Sequence, residues 1–107
     1  MTIELKDFEK IDMKVGEIVK VDDISGSDKL YKLDVNIGGR QITIVAGIKA
    51  HYKKEKLLGK KIVVVANLRP ALIRGINSEG MLLAAVKGDK VNLITVDGDA
   101  EVGSDIA

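Results

Sequence analysis

The sequence predicts an all-β fold, a five-stranded barrel carrying one short helix, and three observations predict it. Apolar runs of strand length recur between turn residues. Two of these runs alternate polar and apolar positions on either side of a Gly-Gly pair. A stretch of helix formers occurs once, between the third and fourth runs. At 107 residues, 46% hydrophobic and 31% charged, the chain is long enough for one domain with its own core.

Residues 13–24 (MKVGEIVKVDDI) read as the first strand, with Val15, Ile18, Val19 and Val21 as its apolar residues. The alternation changes phase near Gly16, which predicts a bulge or sharp bend there. Ser25-Gly26-Ser27-Asp28 is a loop by composition. Leu33, Val35 and Ile37 then alternate with Lys32, Asp34 and Asn36. After Gly38-Gly39, Ile42, Ile44, Ala46 and Ile48 form the second alternating run. A hairpin follows, because a two-residue type I′ turn needs positive φ at both central positions. Residues 49–58 (KAHYKKEKLL) predict a helix of about two to three turns ending at Gly59. Residues 61–68 (KIVVVANL) are an unbroken apolar run, as in a strand covered on both faces. Residues 69–80 hold the only proline and read as a long connection. Strands are expected over 81–86 and 91–96 around a Gly88-Asp89 turn, and 97–107 is an acidic, weakly patterned tail. Five strands with a helix between the third and fourth is the order of an OB barrel. Residues 1–107 are therefore read as one OB domain with an acidic lead over 1–12.

Charge is segregated along the chain. Residues 1–28 carry four lysines against eight acids, residues 29–74 carry eleven bases against two acids, and residues 75–107 carry two lysines against six acids. The formal net charge of +1 hides a basic middle able to build a local positive field. Lys29, Arg40, Lys49, Lys53, Lys54, Arg69 and Arg74 fall at strand ends, in the predicted helix or in the connection after the fourth strand. Loops at such places surround the usual ligand face of an OB barrel.

The inventory argues against catalysis. His51 is the sole histidine and cysteine is absent, so no metal centre or disulfide is expected. The glycines do not form a phosphate loop, since no Gly-Lys-Ser/Thr ending is present. No cofactor is expected. Neither a signal peptide nor 18 consecutive apolar residues occur, which points away from membranes and toward the cytoplasm. Phe8, Tyr31 and Tyr52 are the only aromatics. Single-strand binders stack successive bases on aromatic rings at about 1–3 kcal/mol per base, so a stacking track is not expected here. A folded RNA held through its backbone and 2′-hydroxyls fits the composition better.

Asp28-Lys29-Leu30-Tyr31, residues 61–70 (KIVVVANLRP), Arg74-Gly75 and residues 78–84 (SEGMLLA) resemble the tRNA-binding domain at the C-terminus of methionyl-tRNA synthetases. The same module stands alone as a structure-specific tRNA-binding protein and occurs in endothelial monocyte-activating polypeptide. The likeness runs from about Phe8 to the end. It implies an OB fold, a homodimer formed largely through residues 97–107, and sequence-independent binding to the outer corner of tRNA. By position it implies that Lys29, Arg69 and Arg74 hold phosphates, Asn67 and Ser78 hydrogen-bond sugar or base edges, and Met81 offers an apolar contact. Met81 reads equally as a core strand residue, and Asn67 and Ser78 equally as turn-stabilising groups. The family's usual His-Pro-x-Ala before Asp-Lys-Leu is replaced by Ile24-Ser25-Gly26-Ser27. The expected function is non-catalytic tRNA binding, as the β subunit of methionyl-tRNA synthetase or in trans to its catalytic subunit. The alternative is a dimeric peptide-binding export chaperone of the same fold.

Overall fold

The computed structural model describes all 107 residues. In chain order the elements are α1 (Leu5–Phe8), β1 (Met13–Asp23), β2 (Tyr31–Asn36), β3 (Gln41–Ala46), α2 (Lys54–Leu57), β4 (Lys61–Val65), β5 (Ala71–Ile73), β6 (Ile76–Ser78), β7 (Met81–Leu82), β8 (Ala84–Lys87) and β9 (Lys90–Leu93). Five strands form one antiparallel sheet in the order β3-β2-β1-β4-β7, and β5–β6 and β8–β9 are separate hairpins. The sheet curls into a nearly closed, OB-like barrel. Its seam is sealed by side chains as well as backbone. Glu79 N donates to Thr43 O at 2.7 Å, Thr43 N donates to a Glu79 carboxylate oxygen at 3.0 Å, and Val45 N donates to Ser78 Oγ at 3.0 Å.

β1 turns the corner of the barrel. Its first half pairs with β4, from Met13 opposite Val65 to Glu17 opposite Lys61, and its second half pairs with β2 as far as Asp23 opposite Tyr31. The register slips between Ile18 and Lys20, which puts the irregularity at Val19 rather than beside Gly16. Gly16 serves close approach instead. A Cβ there would stand 2.7 Å from Val35 Cγ1 and 3.1 Å from Val64 Cγ2. The two sequence signals, glycine and phase change, thus have separate causes three residues apart.

The alternation in β2 and β3 is realised. Tyr31, Leu33, Val35, Ile42, Ile44 and Ala46 point inward and join Ile18, Leu57, Ile62 and Val64 in the main core. Gly38 and Gly39 turn the hairpin with φ of 87° and 81°. β4 is covered on both sides, as its unbroken run requires. Val63 and Val65 form a second, outer cluster with Met13, against which Leu83 and Ile106 pack.

Five expectations are corrected. The helix expected over 49–58 is a single turn, Lys54–Leu57. Before it, His51 N and Tyr52 N both donate to Ile48 O, forming a turn, and His51 lies exposed there rather than in the helix. Tertiary bonds outweigh the local propensity, since Tyr31 Oη donates to Tyr52 O at 2.8 Å and Leu93 N donates to Tyr52 Oη at 3.0 Å. The fourth strand stops at Val65, because Ala66 N turns to Asp12 O at 2.8 Å. Residues 69–80 contain the β5–β6 hairpin instead of a bare connection. The strand expected over 81–86 breaks at Leu83, whose N–H donates to Val63 O, so β7 stays in the barrel while β8 leaves to pair with β9. The weakly patterned tail is ordered along β1. Val15 N donates to Ser104 O, Gly103 N to Val15 O and Ile106 N to Met13 O, and the Lys14 ammonium is bonded to the Asp105 carboxylate.

Candidate nucleic-acid interface

The β1–β2 loop is built by serine. Ser27 N donates to Ile24 O at 3.0 Å, and Ser27 Oγ accepts from Lys29 N at 3.3 Å and Leu30 N at 3.1 Å. This Ser-x-x turn sets the path of Lys29, whose side chain is exposed. Lys49 N donates to Lys29 O at 3.1 Å, so the end of β3 is tied to the same loop. Lys49 Nζ stands 3.4 Å from Ser27 O and 5.9 Å above the centre of the Tyr31 ring. From a third direction the tip of β5–β6 arrives. Arg74 Nη1 donates to Gly26 O at 3.4 Å, and Arg74 itself is the one non-glycine residue with positive φ, 53°.

Asp23 closes this arrangement at the end of β1. One carboxylate oxygen is 3.0 Å from Lys49 Nζ and the other is 3.0 Å from Lys54 Nζ. The Lys54 and Lys49 ammonium groups hold the Asp23 carboxyl below the usual carboxylate range, and Asp23 holds Lys54 above the usual lysine range. A carboxyl depressed in this way keeps its pairs throughout neutral pH and releases them only as pH falls through the lowered value. Lys29, Lys53 and Arg69 make no ion pair at all.

The expected site residues therefore separate into groups. Lys29, Lys49, Lys54 and Arg74 gather about the β1–β2 loop, and Lys53 is exposed beside Lys54 at the start of α2. Arg69 is exposed at the entrance to β5, and Met81 is 47% exposed beside a cleft of about 220 Å³ where the edges of β3 and β7 part. Arg40 lies elsewhere. It follows the Gly38-Gly39 turn, at the opposite end of β2 and β3 from Lys29 and Lys49, about 20 Å away at 3.3–3.4 Å per residue. Ser78 is buried, its hydroxyl accepting from Val45 N and donating to Gly80 O. Asn67 is exposed but engaged. Its Oδ1 accepts from Asp12 N at 2.9 Å and its Nδ2 donates to Lys10 O at 2.7 Å, pinning the lead onto the barrel.

Sequence reasoning missed Asp23, Ser27 and Glu79. Asp23 read as one of eight acids in the leading flank, and only its pairing with lysines more than twenty residues away distinguishes it. Ser27 carried a local signal, a serine two and three residues before the amides it caps. Neither tyrosine offers an open stacking platform here, because Tyr52 is half-buried against the core. Tyr31 is 4% exposed, and both tyrosine hydroxyls are spent on backbone groups.

Three comparisons bear on this geometry. A family model described as a putative tRNA binding domain matches residues 13–105. The methionine–tRNA ligase of Pyrococcus furiosus is 45% identical over 104 residues, which is 97% of this chain and 14% of that protein. Among solved structures, a MetRS related protein from Pyrococcus horikoshii superposes with a TM-score of 0.94 at 39% identity, covering 100% of this chain and 99% of the other. A CsaA chaperone protein from Picrophilus torridus gives 0.91 at 40% identity, covering 99% and 100%. The chain spans about one seventh of the curated ligase it matches.

Proposed function

The chain belongs to the putative tRNA binding domain family, and from that premise we propose that it grips the backbone of folded tRNA around its β1–β2 loop without reading sequence. The observation that carries this reading is the gathering of Lys29, Lys49, Lys54 and Arg74 about one loop. With Tyr31 buried and Tyr52 half-buried against the core, phosphate and 2′-hydroxyl contacts are the main chemistry this surface offers. Lys29, Lys53 and Arg69 offer unpaired charges, and Arg74 offers a planar fork for phosphate oxygens. Met81 supplies an apolar contact at the rim. Asn67 and Ser78 act by holding the lead and the barrel seam, and Asn67 keeps one amide hydrogen and one lone pair for RNA. Arg40 serves a contact remote from the others.

In the cell this domain presents tRNA to a methionyl-tRNA synthetase, as its β subunit or in trans, and takes no catalytic part. It works in the cytoplasm as a homodimer, a state supported by the exposed apolar residues Leu5, Phe8 and Ile11, which line a cleft with Ile106. No helix is long and apolar enough to cross a membrane.

A salt titration of tRNA binding tests the central reading. Log affinity should fall linearly with log salt, with a slope of about −0.7 to −0.9 per phosphate neutralised. Arg74→Ala should weaken every tRNA to a similar degree, because a phosphate contact carries no sequence information. An affinity indifferent to salt between low and moderate concentration overturns the reading. A second reading, a dimeric peptide-binding export chaperone, is supported by the same apolar cleft and by the likeness to the CsaA protein. Suppression of aggregation of an unfolded substrate, run beside a tRNA gel shift, separates the two.

A further inference from the structure

We infer that Asp23 is an internal competitor for RNA phosphate, holding Lys49 and Lys54 with its two oxygens until a backbone phosphate takes its place. The inference rests on the tRNA-binding reading and adds a residue with a sign opposite to every other in the site. Its basis is geometric. Two lysines from separate segments, one just past β3 and one at the head of α2, converge on separate oxygens of one carboxylate, each at 3.0 Å. That is how two ammonium groups share a phosphate. Asp23 is also exposed, its side chain 54% accessible against 29% for Lys49 and 40% for Lys54. An arriving anion therefore has a path to the lysines from the solvent side. Depression of the Asp23 carboxyl by Lys54 and then Lys49 keeps the competitor charged at neutral pH.

In the free protein the three groups sum to one positive charge where the lysines alone carry two. Asp23 thereby lowers the affinity for any polyanion and quickens release, while Lys29, Lys53 and Arg69 remain unpaired for the first encounter. A binder that holds many tRNAs through their backbone gains from such a brake, since its affinity is otherwise set by the number of cations alone.

Asp23→Asn removes the charge at constant shape. One further neutralised phosphate steepens the log–log salt slope by about 0.9 and tightens tRNA binding roughly five- to tenfold at 0.1 M salt. Asp89→Asn, an equal change of net charge at the exposed β8–β9 turn, is the control and should leave both quantities unchanged. In the same titrations Lys54→Ala should weaken binding more in the Asp23→Asn background than in the wild type, where that lysine is already occupied. An Asp23→Asn protein that binds as the wild type or more weakly overturns the inference, as does a Lys54→Ala effect equal in both backgrounds. An equal gain from Asp89→Asn also overturns it, by reducing the effect to total charge. The wild-type titration separates the two levels. Absence of salt-dependent tRNA binding removes the functional reading and this inference with it, whereas normal wild-type binding with no gain in Asp23→Asn removes the inference alone.

Discussion

Arg74 occupies a left-handed conformation, φ 53°, at the tip of β5–β6, with glycine following it. The conformation costs a side-chain-bearing residue about 1–2 kcal/mol, and its return is a guanidinium aimed at the β1–β2 loop. Arg74→Gly relieves that strain, offset in part by the greater freedom of glycine in the unfolded chain, about 0.4–1 kcal/mol. The folded state should gain about 0.5–1 kcal/mol while tRNA affinity falls. Urea denaturation and a binding titration on the same variant check the opposed signs, and loss of stability would show that Arg74 is a packing residue. At this scale the sequence exposed chemistry but not partnership. Lys29, Arg69 and Arg74 are legible as exposed bases beside turn residues. Asp23 is not legible, because nothing local links it to Lys49 and Lys54, and Ser78 is legible as polar but not as buried.

Elements were legible where a period could be read over several residues. β2 and β3 alternate cleanly over six residues each, and the Gly-Gly turn between them has positive φ at both positions. β5 and β6 are three residues each, too short for any period, and their turn puts an arginine at the first of its two positive-φ positions, ahead of Gly75. The helix shrank because its middle is pulled inward by Tyr52, a tertiary demand invisible in helix propensity. Barrel closure is another such case, since β3 meets its last neighbour through Ser78 and Glu79 side chains rather than a regular ladder. Ser78→Ala leaves the partly buried Val45 N–H without a partner and should cost about 1–3 kcal/mol. Native-state hydrogen exchange should show Val45 losing protection while the amides between β1 and β4 keep theirs. Uniform loss across the sheet would mean the seam opens only with global unfolding.

For the molecule as a whole, the acid–base–acid order along the chain translated into space only in part. Less than half of the basic middle converges on one loop: Arg40 is carried to the far end of the hairpin by the length of two strands, and an acid from the leading flank returns to sit among the lysines. Linear charge blocks predict a field and leave its shape to topology.

The two chain ends, drawn together where Ile106 donates to Met13 and shares a cleft with Leu5, Phe8 and Ile11, have a consequence for connectivity. The barrel should therefore tolerate a different start to its covalent thread. A circular permutant with Ala107 joined to Met1 by a short glycine linker, and new ends cut between Gly88 and Asp89, keeps every barrel strand intact. It should melt cooperatively and retain the tRNA affinity of the parent, as read by circular dichroism and gel shift. The opening at the β8–β9 turn would then offer another place to attach a fused domain.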